Sequence, residues 1–164
     1  MPHIFYRHAC SSALFLMPLI FFCSCKKHSN TQPQSQTEVK ATVTLSSGNT
    51  ISINATGVRA TITRDIYGYT YVYGATENNA GVNLMFPNIT SPGTYSFICE
   101  YRVNTASTST PIYTNAPSFV ANAGGVTVVA VTAHHIEGAF VATCKTNSTA
   151  TDSAFVSGSF KGDY

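Results

Sequence analysis

The sequence predicts an all-β fold: a single antiparallel β-sandwich of roughly 8–10 strands, or failing that a partly closed β-barrel. Three observations carry this. Thr, Ser, Asn, Gly, Val and Tyr dominate the composition, the vocabulary of strands and turns rather than helices. Apolar and polar residues alternate in short runs, and no window shows a helical period. Turn signals recur about every 8–12 residues.

The strands follow in order from the alternation. Val39 to Leu45 alternates and stops at the turn Ser47-Gly48-Asn49. Ile51, Ile53 and Ala55 form the next strand, ending at Gly57, and Val58 to Arg64 follows with Ala60 and Ile62 in phase with Val58. Tyr67 to Ala75 is an aromatic strand. Asn78 to Gly81 turns the chain into Val82 to Phe86, and Ser91-Pro92-Gly93 is a strong turn. Tyr95, Phe97, Cys99 and Tyr101 then alternate along one long strand. A Ser/Thr-rich loop from Ala106 to Pro117 carries a short Ile112-Tyr113 segment. Gly124-Gly125 opens Val126 to Thr132, His134 to Gly138 turns into Phe140 to Cys144, and a last strand runs from Ser153 to Phe160. Gly93-Thr94-Tyr95, Gly138-Ala139-Phe140 and Gly158-Ser159-Phe160 repeat one device, a glycine with an aromatic two residues on; we read it as strand-entry chemistry.

Ahead of this domain lies a different kind of segment. Arg7 and His8 precede an apolar run from Ala13 to Phe22, interrupted by Pro18 and closed by Cys23-Ser24-Cys25. The run is shorter than the roughly 20 residues a membrane span needs, and it has the length and flanks of a signal-peptide core. Ser24 supplies the small residue expected before a lipidated cysteine. Residues 1–24 therefore read as a lipoprotein signal peptide, with Cys25 as the lipidated residue. Residues 25–38, polar and without an apolar anchor, read as a tether, and 39–164 as the β-domain. Several acyl chains on one cysteine give stable membrane anchoring.

Charge excludes one class of partner. Nine Lys/Arg and seven Asp/Glu nearly balance, and charged residues are only 10% of the chain, so nothing favours nucleic acid. The sequence points to no cofactor and no metal site. His134 and His135 are adjacent, with Glu137 nearby but no third ligand of a metal. A hydrolase would need one of these histidines beside a serine and a carboxylate, and no spacing suggests it.

Two features remain as candidate sites. Tyr67, Tyr69, Tyr71 and Tyr73 alternate and so share one strand face. They read either as a core face with hydroxyls reaching a rim, or as an exposed platform that stacks on sugar rings or a partner. Cys99 and Cys144 are both in phase with core residues. They read either as a disulfide closing a loop of about 45 residues, which stabilises by roughly 4 kcal/mol, or as two buried free thiols.

The lipidation signal, tether, Gly-Thr-Tyr strand, the strand from Gly125 to Val129, Glu137-Gly138-Ala139-Phe140 and the final Gly158-Ser159-Phe160-Lys161 together resemble an uncharacterised family of small Bacteroidota lipoproteins. Members end on an I-x-G-T-F-x-F … G-x-F pattern; here Ala142 stands where a second aromatic is usual. The resemblance implies the β-rich fold and carries no activity. Asp152-Ser153-Ala154 is similar to the O-glycosylation acceptor of that group, which makes Ser153 a candidate modification site. Lys26-Lys27-His28 after Cys25 is not the acidic cluster used for surface export there, which implies an outer-membrane lipoprotein facing the periplasm. The expected role is a non-catalytic module binding a glycan or an envelope protein, the alternative a structural subunit assembled by strand addition.

Overall fold

The computed structural model describes residues 36–107, 110–116 and 124–164, all within one compact unit, Pro33–Tyr164. Cys25 and the signal lie outside the described residues. Eleven strands are present among them: β1 (Glu38–Leu45), β2 (Thr50–Thr56), β3 (Ala60–Arg64), β4 (Tyr69–Ala75), β5 (Gly81–Pro87), β6 (Gly93–Tyr95), β7 (Ile98–Arg102), β8 (Ile112–Thr114), β9 (Gly124–Val131), β10 (His135–Lys145) and β11 (Ser153–Asp163). Every pairing is antiparallel, and the order is β2-β1-β11-β10-β8-β7-β5-β4-β3. The fold is all-β, a sheet that curls over into a nearly closed, barrel-like sandwich.

The long strand β10 makes the sheet fork. One of its edges pairs with β11; the other carries β9 along Ile136–Ala142 and then β8 at Lys145. The β9 branch ends on β6, and the β8 branch runs on through β7, β5, β4 and β3. The two branches diverge, so the portion made of β7, β5, β4 and β3 folds back and closes a core against β1, β2, β10 and β11. Phe86 of β5 meets Phe160 of β11 at 5.8 Å between ring centroids, and Phe97 meets Phe140 of β10 at 6.5 Å. Both distances suit favourable aromatic packing.

The inner face follows the period of two. Val39, Ala41 and Val43 of β1, Val82, Leu84 and Phe86 of β5, and Ile136, Phe140, Ala142 and Cys144 of β10 are buried, with exposed or half-exposed residues between them. The glycine–aromatic device proves to be cross-strand. Gly138 lies opposite Phe160, and Gly158 lies opposite Phe140. A Cβ on either glycine would fall 2.7 Å from the Cζ of the facing ring, so each phenylalanine covers the glycine across from it. The third copy differs: the Tyr95 ring folds back over Gly93 and its hydroxyl donates to the Ser91 carbonyl at 2.7 Å.

Four expectations are corrected. The stretch from His134 to Gly138, read as a turn, is strand from His135 onward, because β10 pairs there with β11. Val58 is 98% exposed in a single 3-10 turn at Gly57–Arg59, so β3 starts only at Ala60. Tyr67 sits in the turn before β4, 81% exposed, out of the stripe. The run from Tyr95 to Tyr101 is not one strand. The chain leaves β6 in one branch and enters β7 in the other across Ser96-Phe97, and the alternation survives because both branches face the same core.

Candidate functional site

The tyrosine stripe is on the outside. Thr70, Val72, Gly74 and Ala75 are the buried residues of β4, while Tyr69 is 40% exposed and Tyr71 and Tyr73 are half-buried. The core-face reading of the stripe is therefore overturned. The opposite face looked too thin to be the core side, yet its thinness is what the packing needs. A Cβ at Gly74 would lie 2.7 Å from Val39 Cγ1 and 3.3 Å from Ala55 Cβ, so β4 approaches β1 and β2 closely. Thr70 carries its one polar group inward satisfied, its hydroxyl donating to Asn88 Oδ1 at 2.8 Å.

Register builds a surface around the rings. Across the sheet, Thr61, Tyr73, Asn83, Glu100 and Thr114 stand in one row. Thr63, Tyr71, Met85 and Ile98 stand in the next. Arg102 follows Glu100 on the same face of β7, and the two charges approach to 3.7 Å. The β3–β4 turn fixes the first rings. Asp65 Oδ1 accepts the backbone N–H groups of Tyr67 at 3.0 Å and Tyr69 at 2.8 Å, and its Oδ2 accepts the Tyr71 hydroxyl at 3.1 Å. Loss of water contact, and then the Asp65 carboxylate, raise the Tyr71 hydroxyl's pKa, so it stays a donor at neutral pH.

At the other end of the stripe a cleft of about 380 Å³ opens between Tyr73, Asn83, Glu100, Arg102 and Thr105. Thr105 forms one wall: its N–H donates to the Asn79 carbonyl at 2.6 Å, and the threonine folds down onto Gly81. Aromatic and planar polar side chains thus share one face of the sheet. Asn83, Glu100 and Arg102 were not singled out from sequence, where each looks like an ordinary solvent-facing strand residue.

The remaining sequence candidates are separate from this face. Cys99 and Cys144 are neighbours, fully buried and both free thiols, so the packed-thiol reading describes them. The Cys144 thiol donates to the Cys99 carbonyl at 3.8 Å, and that thiol together with burial pushes the Cys99 thiol well up. Ser153 begins β11, half-buried, with its N–H donating to Ser46 Oγ at 3.2 Å. His134 is exposed, and His135 Nδ1 lies 2.7 Å from Asp163 Oδ1. No group of three His, Cys, Asp or Glu that could hold a metal gathers among the described residues.

No protein-family model matches the chain, and no curated protein or solved structure shows significant similarity to it.

Proposed function

We propose that the chain is a lipid-anchored envelope protein, held at the outer membrane through Cys25, whose β-domain is a non-catalytic binding module. Its ligand face is the outward surface of β4 and β5. One observation carries this reading. Tyr69, Tyr71 and Tyr73 stand outward while the core is filled without them, by Phe86, Phe97, Phe140, Phe160, Tyr101 and Tyr113. Rings left part-open beside Met85 and Ile98 offer stacking area at small entropic cost, because tyrosine has few torsions to fix. The ligand class this suits is a glycan. The lipidation signal and the tether support the anchoring, and Lys26-Lys27-His28 supports a periplasm-facing orientation.

The chain has nine tyrosines and no tryptophan, so its emission comes from tyrosines, the three of the β4 face among them. Titration of the full chain with soluble polysaccharides is expected to change that emission. The double variant Tyr71→Ala/Tyr73→Ala is expected to bind at least ~10-fold more weakly with an unchanged β-sheet circular dichroism spectrum. A folded double variant that binds as tightly as the parent sinks the proposal.

A second reading rests on the edge of the sheet. β3 ends the strand order, and Val58 at 98% and Ile66 at 92% exposure flank it. A partner strand adding along β3 would cover both. Lysines at the two exposed flanking positions, Val58→Lys/Ile66→Lys, should abolish such assembly while leaving glycan titration unchanged.

A further inference from the structure

The cleft at the Arg102 end of the tyrosine face has a chemistry of its own. Tyr73 gives it an aromatic side, and Asn83 and Glu100 lie next to it in the same cross-strand row. Arg102 stands one pleat further along β7, 3.7 Å from the Glu100 carboxylate. That separation is longer than a strong charge-assisted hydrogen bond, so both groups keep donor and acceptor capacity for a third party. Glu100 and Arg102 are half-exposed rather than sealed, so neither must be desolvated before a ligand arrives.

We infer that this cleft is a saccharide subsite selective for neutral sugars, with Tyr73 stacking on a ring and Glu100, Arg102 and Asn83 hydrogen-bonding its hydroxyls. The inference rests on the ligand face proposed above and narrows its ligand class. Three arguments lead to it. A sugar has a weakly apolar ring face and an edge of adjacent hydroxyls that both donate and accept. The cleft matches this with one aromatic side and three planar groups: a carboxylate that accepts, a guanidinium that donates and an amide that does both. Second, the pair of opposite charges leaves the cleft with no net charge. A uronic acid or a phosphorylated sugar would be attracted by Arg102 but repelled by the Glu100 carboxylate beside it, so the cleft gives an anion no net reward, whereas neutral hydroxyls can use both groups without repulsion. Third, a volume of about 380 Å³ lies at the lower end of the range of about 300–1,000 Å³ for small-ligand sites, a size for a short run of sugar rings rather than a protein loop. The Thr105 wall closes the cleft on the side away from Tyr71, so a chain lying along Tyr69, Tyr71 and Tyr73 would end there.

The test uses the full chain and defined probes: neutral hexasaccharides of glucose, xylose and mannose, and a galacturonic acid hexasaccharide as their anionic counterpart. Glu100→Gln keeps the shape and removes the charge, and Arg102→Gln removes the fork of donors. Asn83→Ala is a third variant that leaves the ion pair alone, and thermal midpoints confirm folding of all three. At least one neutral hexasaccharide is expected to bind, with the anionic one at least ~10-fold weaker. Each charge variant should lose about 10-fold or more in affinity for the neutral ligand. Preference for the anionic hexasaccharide overturns the neutral class. Neutral binding that depends on Tyr71 and Tyr73 but is indifferent to all three cleft variants overturns the subsite and leaves the tyrosine face standing. Binding of no saccharide overturns both readings.

Discussion

Asn115 decides whether the fork in the sheet holds. It is the residue after β8, 4% exposed, at the point where β7 and β10 would otherwise lose the strand between them. Its side chain continues the ladder in place of backbone. Oδ1 accepts the Cys99 N–H at 2.7 Å and Nδ2 donates to the Phe97 carbonyl at 3.2 Å, while its own N–H donates to the Cys99 carbonyl at 3.1 Å. Asn115→Ala keeps only the last of these. Two buried backbone groups are then abandoned at about 1–3 kcal/mol each, for a total of about 2–6 kcal/mol. Domains of this kind hold about 5–15 kcal/mol in all, so the loss is a large share of the stability. With a urea dependence of about 2 kcal/mol per molar, the unfolding midpoint should fall by about 1–3 M. Amide exchange at Cys99 should quicken selectively, since its N–H loses its acceptor.

Asn115→Asp separates the two lost bonds. The acid still accepts from Cys99, but it can donate to the Phe97 carbonyl only when protonated. Burial raises the folded pKa of such an acid above its unfolded value near about 3.9, so the variant's deficit against the parent should grow as pH rises from about 4 to 7. An Asn115→Ala variant within about 0.5 kcal/mol of the parent, with unchanged Cys99 exchange, would refute the reasoning.

Further outcomes follow from other buried or paired groups. Tyr101 is fully buried with its hydroxyl unpartnered among the described residues, so Tyr101→Phe should leave stability unchanged or raise it by up to about 1 kcal/mol in chemical denaturation; a clear loss would mean the hydroxyl has a partner. Glu38 has its pKa lowered by hydrogen bonds from Lys40 and then Lys161, the latter at 3.3 Å. Its stabilisation is present above the ordinary glutamate value of 4.5 and is lost as pH falls through the lower folded value, so Glu38→Gln should flatten the acid limb of the stability curve. Gly158→Ala would put a Cβ 2.1 Å from the Lys40 carbonyl oxygen and 2.7 Å from Phe140 Cζ. Because the first obstacle is backbone of the paired strand, the loss should reach about 1–3 kcal/mol or more, and a neutral Gly158→Ala would contradict the packing. Cys99 and Cys144 should resist alkylation in the folded chain and react on unfolding; a bridged peptide in mass mapping would overturn the free-thiol pair.

Much of the fold was legible because most strands face solvent on one side only. β1, β10 and β11 alternate cleanly, and their inward residues could be named from periodicity. What periodicity does not carry is which of two faces is inside when both are plausible by composition. The stripe on β4 is that case. The deciding fact is the approach of Val39 and Ala55 to Gly74, residues 35 and 19 positions away in the chain, and no local pattern contains it. The break at Ser96-Phe97 was hidden for a related reason. A strand that passes from one layer to another around a shared core keeps its alternation, so the switch leaves no local trace. Asn83, Glu100 and Arg102 were missed because register alone brings them beside Tyr73. The alternation of Val82 to Phe86 does place Asn83 outward, and a pairing of β4 with β5 would have completed the row.

The phenylalanines that meet across the core and the tyrosines of β4 divide by chemistry as well as by place, although Tyr101 and Tyr113 are core tyrosines and Phe155 lies on the surface. Three of the four phenylalanines that meet across the core sit on strands facing glycines or each other, where a hydroxyl would have no partner: Phe86 against Phe160, and Phe140 and Phe160 over Gly158 and Gly138. The tyrosines of β4 stand outward, where hydroxyls are hydrated or held. Asp65 shows that this placement is organised: one carboxylate closes the β3–β4 turn with two backbone N–H groups and also fixes the Tyr71 ring. On the proposed ligand face, the Tyr71 ring held in advance would lose little freedom when a ligand stacks on it, so the turn that shapes the hairpin would also lower the entropic cost of that binding.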